Sequence, residues 1–585
     1  MNLTNFLKQT EVLTAQYSKE QLALFIHDFG RVLPEEQRED FLRRLKTIGE
    51  DKKMPNKDEA EKVGFYKVYQ KIRENLKKID SQEVTITGIL NEEYDDWYDD
   101  SSEEFFYEDE NGIADMLTEA CTFVHTCMDE EMYKEGSEIG RQLFFMEILC
   151  LNEYGDEEFS IGDLVYHELL HCDMKQVILD TLYCAYHATP LKERPEVLFE
   201  IFLNSNDREM TLESIMQHGD EALPDFQEFL ELWITYLGDK TSYDGDRLFS
   251  EAISLINNVS VACKYAEKFV ATHPGIYLDI LSYEKSADLN AMVSIGIKAM
   301  RLIPKKYIMR SKVALKTAEY IIRSKEQLDL LEMCYFVAYE SDTSPMNYLR
   351  VLCNGYETEK KREELRKVFM SSLTKEKEVS YGTNVQGERK LNEPDRNRIL
   401  MLKFFDGQFG EVLTNGLNAR EALGWTGTFM KQGIAVYLLY LYEGKWSDKG
   451  MYAMASIVKN TLGFSVEEYQ KGLLKVSDSN ENDLFYNVFS KWKFLTVMEA
   501  DVRTRAIKRI ERLIEKRTEG IMNANRRNYY GECAAYIAAL GEVQESLGNK
   551  GAKQRIMTFY KDKYSRRSAF RAELKGYGWN DGKKK

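Results

Sequence analysis

Proline is scarce in this chain, with 9 residues in 585, where about 5% is usual. Because proline interrupts helices, its scarcity permits a protein that is mostly helical. Long apolar runs are also missing, since the longest, Gly433 to Tyr442, falls far short of the ~20 residues of a membrane-spanning helix. The N-terminus lacks the basic and apolar regions of a signal peptide. We therefore expect a helical protein with no membrane partner.

Cysteine is sparse as well, and the nine cysteines contain no CxxC pair and no regular framework. Several of them fall on apolar helical stripes, where a reduced cysteine behaves as a small hydrophobic residue. Disulfide frameworks belong to oxidising compartments. The cysteine pattern therefore predicts a cytoplasmic protein with reduced thiols.

The residues that are present indicate an elongated helical protein. Hydrophobic residues make up 43% of the chain, which is enough for a core, and 585 residues exceed what one core can use. Apolar residues recur at helical spacing in segments that short turns connect. We expect an all-α fold, an α-solenoid of helical hairpins similar to tetratricopeptide or HEAT arrays. A small β-hairpin or acidic loop is expected near 84–110, because Val84 to Thr87 alternates like a strand.

Five segments follow from these patterns. They are an N-terminal helical unit (1–80), an acidic-aromatic hairpin or loop (81–112), a helical-repeat array (113–371), a mobile polar loop (372–396), and C-terminal helical repeats with a basic tail (397–585).

Charge is unevenly distributed along the chain. The net charge is −18, yet residues 501–585 hold 21 Lys and Arg against 10 Asp and Glu. Residues 91–112 hold eleven carboxylates interleaved with aromatic side chains. This acidic segment does not fit an EF-hand, since Tyr107 and Thr118 would fill the first and last ligand positions. We interpret it as a solvated hairpin or loop, with docking on a basic partner or mimicry of nucleic acid as alternatives.

One motif suggests chemistry, the HELLH sequence from His167 to His171. Ser160 to Asp163 forms a capping box, which predicts a helix from there to about His187. On such a helix His167 and His171 share a face and could bind zinc, with Glu168 as the general base of a metallopeptidase. Neither standard third ligand follows at the required spacing. Packing of the histidines as neutral, hydrogen-bonded imidazoles is therefore the preferred interpretation.

A second cluster, Cys121, His125 and Cys127, has two members four residues apart, which could share a ligand face. Cys127 lies on another side of the helix, so core packing is the preferred interpretation.

The basic tail offers a candidate surface for nucleic acid. Arginines and lysines bind phosphates, and the aromatic residues among them can stack on unpaired bases. The alternative is that these cations pair with the acidic body of the same molecule. The candidate binding residues are Arg503, Arg505, Lys508, Arg509, Arg512, Arg526, Arg527, Arg566 and Arg567.

Four blocks of the second half carry a family resemblance, at 311–324, 337–352, 423–442 and 526–578. They resemble the helical-repeat region that follows the zinc finger in bacterial, mostly clostridial, SWIM-zinc-finger proteins. The finger itself is missing, because the chain has no CxC and no CxH sequence. The resemblance implies an α-helical scaffold, and the zinc-finger contacts of the family are not carried over.

Our hypothesis from the sequence is a non-enzymatic helical-repeat scaffold or adaptor that binds a protein partner. Two alternatives remain open. One is a zinc-dependent metallohydrolase that uses the HELLH motif, and the other is a nucleic-acid-binding accessory protein that uses the basic C-terminal region.

Overall fold

The computed structural model describes residues 17–32, 38, 41, 57–90, 105–219, 222–282, 288–354, 358–373, 389–419, 421–464 and 481–580. Helices dominate these residues, and the few strands form one small sheet. The predicted all-α helical-repeat fold is therefore confirmed. The chain divides into two compact units, unit 1 (Met1–Leu237) and unit 2 (Gly238–Lys585). Their boundary falls inside the segment 113–371 that the sequence predicts as one array.

Unit 1 consists of helices with an inserted sheet. Its described elements are α1 (Lys19–Val32), α2 (Lys57–Asp80), β1 (Ile86–Leu90), β2 (Phe105–Glu108), α3 (Ile113–Asp129), α4 (Tyr133–Phe145), β3 (Ile148–Asn152), β4 (Gly155–Phe159), α5 (Ile161–Tyr166), α6 (Met174–Ala188), α7 (Arg194–Asn204), α8 (Leu212–His218) and α9 (Phe226–Leu237). Helices α3, α4 and α6 pack against one another, and α2 lies on α3. Their shared interior is apolar and includes Leu117, Val124 and Leu143.

The sheet has the strand order β2-β1-β3-β4. Strands β1 and β2 form the antiparallel hairpin that the sequence predicts near 84–110, although residues 91–104 lie outside the described part. Strand β3 runs parallel to β1 and antiparallel to β4. The pair β3–β4 was not expected, because ILCLN is too short an apolar run to distinguish a strand from a helix. One face of the sheet is buried through Ile86, Ile148 and Cys150.

Unit 2 is helical throughout its described residues, apart from short 3₁₀ turns and an isolated bridge. Its helices are α10 (Tyr243–Ser254), α11 (Val259–Phe269), α12 (Ile276–Ser282), α13 (Leu289–Leu302), α14 (Ile308–Ser324), α15 (Leu331–Ser341), α16 (Pro345–Cys353), α17 (Thr358–Leu373), α18 (Arg396–Phe405), α19 (Phe409–Asn415), α20 (Met430–Leu441), α21 (Lys449–Leu462), α22 (Glu481–Leu495), α23 (Ala500–Asn523), α24 (Tyr530–Ser546), α25 (Ala552–Lys563) and α26 (Ser568–Gly576).

Consecutive helices pack in pairs through much of unit 2, as in α13 with α14, α14 with α15, and α24 with α25. Helix α20 is apolar on every side from Gly433 onward, and residues 433–441 are all buried. A helix with this pattern belongs in the interior, so the longest apolar run of the chain is a core helix. No helix in the described ranges is long and apolar enough to cross a membrane.

The end of the predicted polar loop is attached to unit 2. Residues 374–388 lie outside the described part, but Lys390 accepts a hydrogen bond from the amide of Ile308 at 2.9 Å. The amide of Asn392 donates to the carbonyl of Lys306 at 3.1 Å. Residues 389–392 therefore lie against the start of α14 as an ordered segment.

Candidate functional site

The HELLH motif does not lie on one helix. The capping box at Ser160 is present, since its hydroxyl accepts from the amide of Asp163 and the Asp163 carboxylate accepts from the amide of Ser160. Helix α5 nevertheless ends at Tyr166, and α6 begins only at Met174. The prediction of one helix from Ser160 to His187 is wrong.

A C-cap ends α5 inside the motif. Glu168 adopts a left-handed conformation with φ 59°, which a continuing helix cannot contain. Its amide donates to the carbonyl of Val165 at 3.1 Å, and the amide of Leu169 donates to the carbonyl of Leu164 at 2.9 Å. These two bonds form the Schellman arrangement that closes helices. Asp173 then caps α6 by accepting from the amide of Gln176.

The two histidines of the motif therefore lack the helical spacing that a shared metal requires. His167 is half-buried, with ring centroids 4.4 Å from Tyr107 and 5.3 Å from Phe159. His171 is exposed, and so is Glu168. Among the described residues, no group of three or more His, Cys, Asp or Glu side chains is placed to hold a metal ion. The geometry supports the packing interpretation for His167, whereas His171 lies at the surface.

The polar centre of unit 1 is a carboxylate on α6, Asp180, with 0% of its surface exposed. His125 approaches one oxygen at 2.9 Å through Nδ1, and His218 approaches the other at 2.6 Å through Nε2. The side-chain amide of Gln176 donates to the same oxygen as His218 at 3.0 Å. Asp180 thus links helices α3, α6 and α8 through two imidazoles.

This network can fix the orientation of both rings. A buried carboxylate that accepts from an imidazole N–H selects the tautomer of that ring. His218 is nearly buried, while the side chain of His125 is 48% exposed. The arrangement links the three helices through hydrogen bonds to one buried carboxylate.

The cysteines beside His125 have different surroundings. Cys127 is buried, and burial raises the pKa of its thiol to about 12. Cys121 shares a hydrogen bond with Cys172, which together with burial raises the pKa of Cys121. The same hydrogen bond lowers the pKa of Cys172. The core-packing interpretation holds for both cysteines of the CTFVHTC sequence, while His125 instead contacts Asp180.

Several candidate nucleic-acid residues are engaged within unit 2. Arg503 pairs with Glu443, and Arg505 pairs with Asp501 at 2.9 Å. Arg509 donates to the carbonyl of Leu417 at 2.8 Å. Arg567 donates to the carbonyl of Met522 and to Asn525. Five candidates are exposed and have no ion pair among the described residues, namely Lys508, Arg512, Arg526, Arg527 and Arg566.

The second face of the unit 1 sheet is open in the described structure. Ile89 and Phe106 are cross-strand partners and are 44% and 62% exposed. Leu151 lies on the same face and is 40% exposed. Three carboxylates share this face, Glu108 opposite Thr87, Asp156 opposite Leu151, and Glu158 opposite Leu149. This surface, called the open sheet face below, combines apolar side chains with an acidic border.

Sequence reasoning did not identify Asp180 or the open sheet face. Asp180 lies 55 residues from His125 and 38 from His218, so no local spacing indicates the contacts. A weak signal was an aspartate within a helical segment that is otherwise apolar, since buried carboxylates need partners. The open sheet face had no signal, because β3 and β4 were not recognised.

Comparison with protein-family models and with curated proteins returned no match to this chain.

Proposed function

We propose that this chain is a non-enzymatic helical scaffold, and that its open sheet face binds a basic segment of a protein partner. The observation that carries the proposal is the exposed Ile89–Phe106 pair beside three carboxylates on one sheet face. Large apolar side chains that cluster on a surface mark interaction sites.

The chemistry of the partner follows from the charges on this face. Glu108, Asp156 and Glu158 surround the apolar centre, and no lysine or arginine lies on the four strands. The connection from Leu90 to Phe105 adds eight carboxylates and no basic residue to the sequence. Opposite charges steer association and select partners. The expected occupant is therefore a segment that alternates lysine or arginine with apolar side chains.

Two edge strands support a protein partner. Strands β2 and β4 end the sheet on either side, so each has one side without a strand partner in the described part. Such edges accept extended peptides by adding a strand. A basic strand paired along β2 or β4 would extend the sheet and place alternate side chains on the same side as the open sheet face.

Site-specific photo-crosslinking tests this function. A photoreactive amino acid at Phe106 should capture a protein whose contact segment is basic, and the yield should fall as salt rises. The matched control carries the same group at Phe559, which is 54% exposed on α25 of unit 2. The captured protein is then purified, and its affinity is measured for the native chain and for the Ile89→Ser, Phe106→Ser variant.

The expected result is a loss of affinity of about 100-fold in the double variant, because two anchoring side chains are truncated. Phe559→Ser should bind like the native chain. Equal capture from Phe106 and Phe559, or a partner whose contact segment is acidic, would refute the proposal.

A second function is favoured by a specific surface, the exposed face of α23. Five exposed cations follow helical spacing there, at Arg505, Lys508, Arg509, Arg512 and Lys516. Residues at these intervals share one side of a helix. We infer that this stripe could bind the phosphates of nucleic acid in addition to the protein partner.

The salt dependence of binding tests the second function. Each cation that contacts duplex DNA adds about 0.9 to the slope of log affinity against log salt. Replacing Lys508 and Arg512 by glutamine should lower that slope by about 1.8 and weaken binding of all sequences similarly. The control removes two exposed lysines elsewhere, Lys264 and Lys367. No binding at low salt, or an equal loss in the control, would exclude nucleic acid as a ligand.

A further inference from the structure

Unit 2 contains a polar cavity of about 710 Å³, where helices α14, α16, α18, α20 and α21 meet. Sites for small molecules occupy about 300–1,000 Å³, so the volume suits a metabolite. Hydroxyl and amide side chains line it beside apolar ones, so the lining offers several hydrogen-bonding groups to a ligand.

The charged lining of the polar cavity is basic. Lys312, Arg350, Lys390 and Arg398 stand against Asp342 and Asp395, which gives a net charge of +2. Both carboxylates are already used. Asp342 pairs with Arg398, and Asp395 accepts from the amide of Arg398 at 2.8 Å to cap α18. In a chain with a net charge of −18, this positive cavity is a local exception.

Arg350 is the most deeply placed of these cations, with 3% of its surface exposed. Its Nη1 donates to the side-chain oxygen of Asn347 at 2.6 Å. The amide nitrogen of Asn347 is itself fixed, since it donates to the carbonyl of Asp342 at 2.9 Å and to Ser311 at 3.3 Å. The guanidinium is therefore held in place by a chain of buried contacts.

Two further features of the lining favour an anionic, hydroxyl-bearing ligand. Residues 344–347 of the lining form the start of α16, where the helix dipole is positive. The lining also includes Gln432, whose Oε1 atom is buried and has no hydrogen-bond partner in the described structure. A buried acceptor of this kind is satisfied by a donor such as a ligand hydroxyl.

We infer that the polar cavity binds a small phosphorylated molecule that also carries hydroxyl groups. A phosphomonoester has a charge of about −1.5 to −2 at neutral pH, which matches the +2 of the lining. A single carboxylate would neutralise only half of it. Arginine and lysine are also the side chains that bind phosphate most effectively, through charged hydrogen bonds. This ligand site lies in unit 2 and does not depend on the open sheet face of unit 1.

Titration calorimetry on the full chain tests this inference with three probes. They are glucose 6-phosphate, inorganic phosphate and glucose. We expect glucose 6-phosphate to bind most tightly, inorganic phosphate to bind more weakly at the same site, and glucose to give no heat. The heat of glucose 6-phosphate binding should disappear when the cavity is saturated with inorganic phosphate.

The matched double variants replace exposed lysines, so that folding is preserved. Lys312→Gln with Lys390→Gln removes two cations from the rim, and glucose 6-phosphate should bind about 100-fold more weakly. Lys264→Gln with Lys367→Gln removes two exposed lysines outside the cavity and should bind like the native chain. Arg350→Gln should abolish binding, with its circular dichroism spectrum as a check of folding.

Three results would overturn the inference. The first is no heat from either phosphate compound at millimolar concentration. The second is an affinity in the rim variant equal to that of the control variant. The third is glucose binding as tightly as glucose 6-phosphate, which would show a sugar site without phosphate recognition.

Discussion

The amide of Glu168 donates to the carbonyl of Val165 at 3.1 Å and closes α5 in the middle of the HELLH motif. The residue at this position adopts φ 59°, a conformation that disfavours side chains other than glycine or asparagine. Glu168 is therefore a strained capping residue in this structure, whereas a zinc peptidase would need it as a base on a helix.

A glycine substitution at position 168 distinguishes a helix C-cap from a continuous helix at this residue. We expect Glu168→Gly to raise the free energy of unfolding by about 1 kcal/mol, because glycine adopts the left-handed conformation without steric cost. Urea unfolding measures the change. Glu168→Ala keeps the strain and serves as the control, with a stability close to that of the native chain. A continuous helix would give the opposite order, since glycine destabilises a helix interior by about 1 kcal/mol relative to alanine.

The same region shows how far the sequence could predict this structure. The capping box predicted at Ser160 is present, yet no glycine or proline marks the end of the helix at His167. Asp173 with Gln176 was the available signal for a second helix start, since a capping residue inside a presumed helix indicates a break. N-terminal helix caps can thus be predicted from the sequence, whereas a helix end at a strained residue cannot.

Removal of the buried carboxylate should destabilise unit 1 strongly. Asp180→Ala leaves the nearly buried His218 without its partner at 2.6 Å and His125 without its partner at 2.9 Å. We expect a loss of about 3 kcal/mol in the free energy of unfolding. Urea unfolding followed by circular dichroism measures it.

The control for this prediction is Asp129→Ala. That carboxylate lies 3.9 Å from His125 and is 34% exposed, so its removal should change stability by less than about 0.5 kcal/mol. A native-like stability of Asp180→Ala would mean that the two imidazoles find water or other partners, and the structural role of the network would be rejected.

The buried face of a helix can be predicted from the sequence more readily than the hydrogen-bond partners of its buried polar side chains. The apolar run from Gly433 onward is too short to span a membrane, and residues 433–441 of α20 are all buried. The hydrogen-bond partners of Asp180 and Arg350 could not be predicted, because periodicity shows which face is inside but not which distant residue lies opposite. Long-range polar contacts depend on the three-dimensional arrangement of helices.

A buried carboxylate in unit 2 should give stability a distinct pH dependence. Burial raises the pKa of Asp279 from 3.8 to about 6, against smaller lowering effects of Ser250 and His273. Between pH 3.8 and about 6, Asp279 therefore keeps a proton in the folded state that it has lost in the unfolded state. Stability from this group is therefore full below pH 3.8 and is lost as the pH rises through 6.

Asp279→Asn removes this dependence. We expect the variant to match the native chain near pH 4 and to exceed its free energy of unfolding by about 2 kcal/mol at pH 8. Unfolding curves across this range measure the difference. Glu364→Gln, an exposed residue of α17, should give a difference that stays flat with pH. A flat difference for Asp279→Asn as well would contradict the raised pKa.

The ordered end of the polar loop should be coupled energetically to α10. Arg389 makes two bonds to Asp246, at 2.7 and 3.2 Å, and also donates to the carbonyl of Thr241. A double-mutant cycle of Arg389→Ala and Asp246→Ala should give a coupling energy of about 2 kcal/mol, because the pair is bidentate and largely buried. The exposed pair Arg505 and Asp501 should give less than about 0.5 kcal/mol. Equal coupling energies in the two pairs would show that burial does not strengthen the interaction between Arg389 and Asp246.

Close approach of α4 and α6 depends on a glycine. A Cβ at Gly140 would lie 2.2 Å from the Oγ1 of Thr181, which is buried and donates to the carbonyl of Val177 at 2.8 Å. Gly140→Ala should therefore lower the free energy of unfolding by about 1–3 kcal/mol, because two packed helices must separate. Gly64→Ala in α2 is the matched control, since a Cβ there meets nothing within 4 Å.

The two glycines should change stability in opposite directions. Gly64→Ala is expected to stabilise by about 0.5–1 kcal/mol, because alanine reduces the entropy of the unfolded chain. The cause of the Gly140→Ala loss can be isolated further with Thr181→Ala, which removes the clashing Oγ1 and Cγ2 atoms. In the Gly140→Ala, Thr181→Ala double variant, part of the loss should be recovered relative to Thr181→Ala alone, because the Cβ of residue 181 stays 2.9 Å from the new Cβ. If the two losses simply add, contact between these side chains does not set the helix spacing.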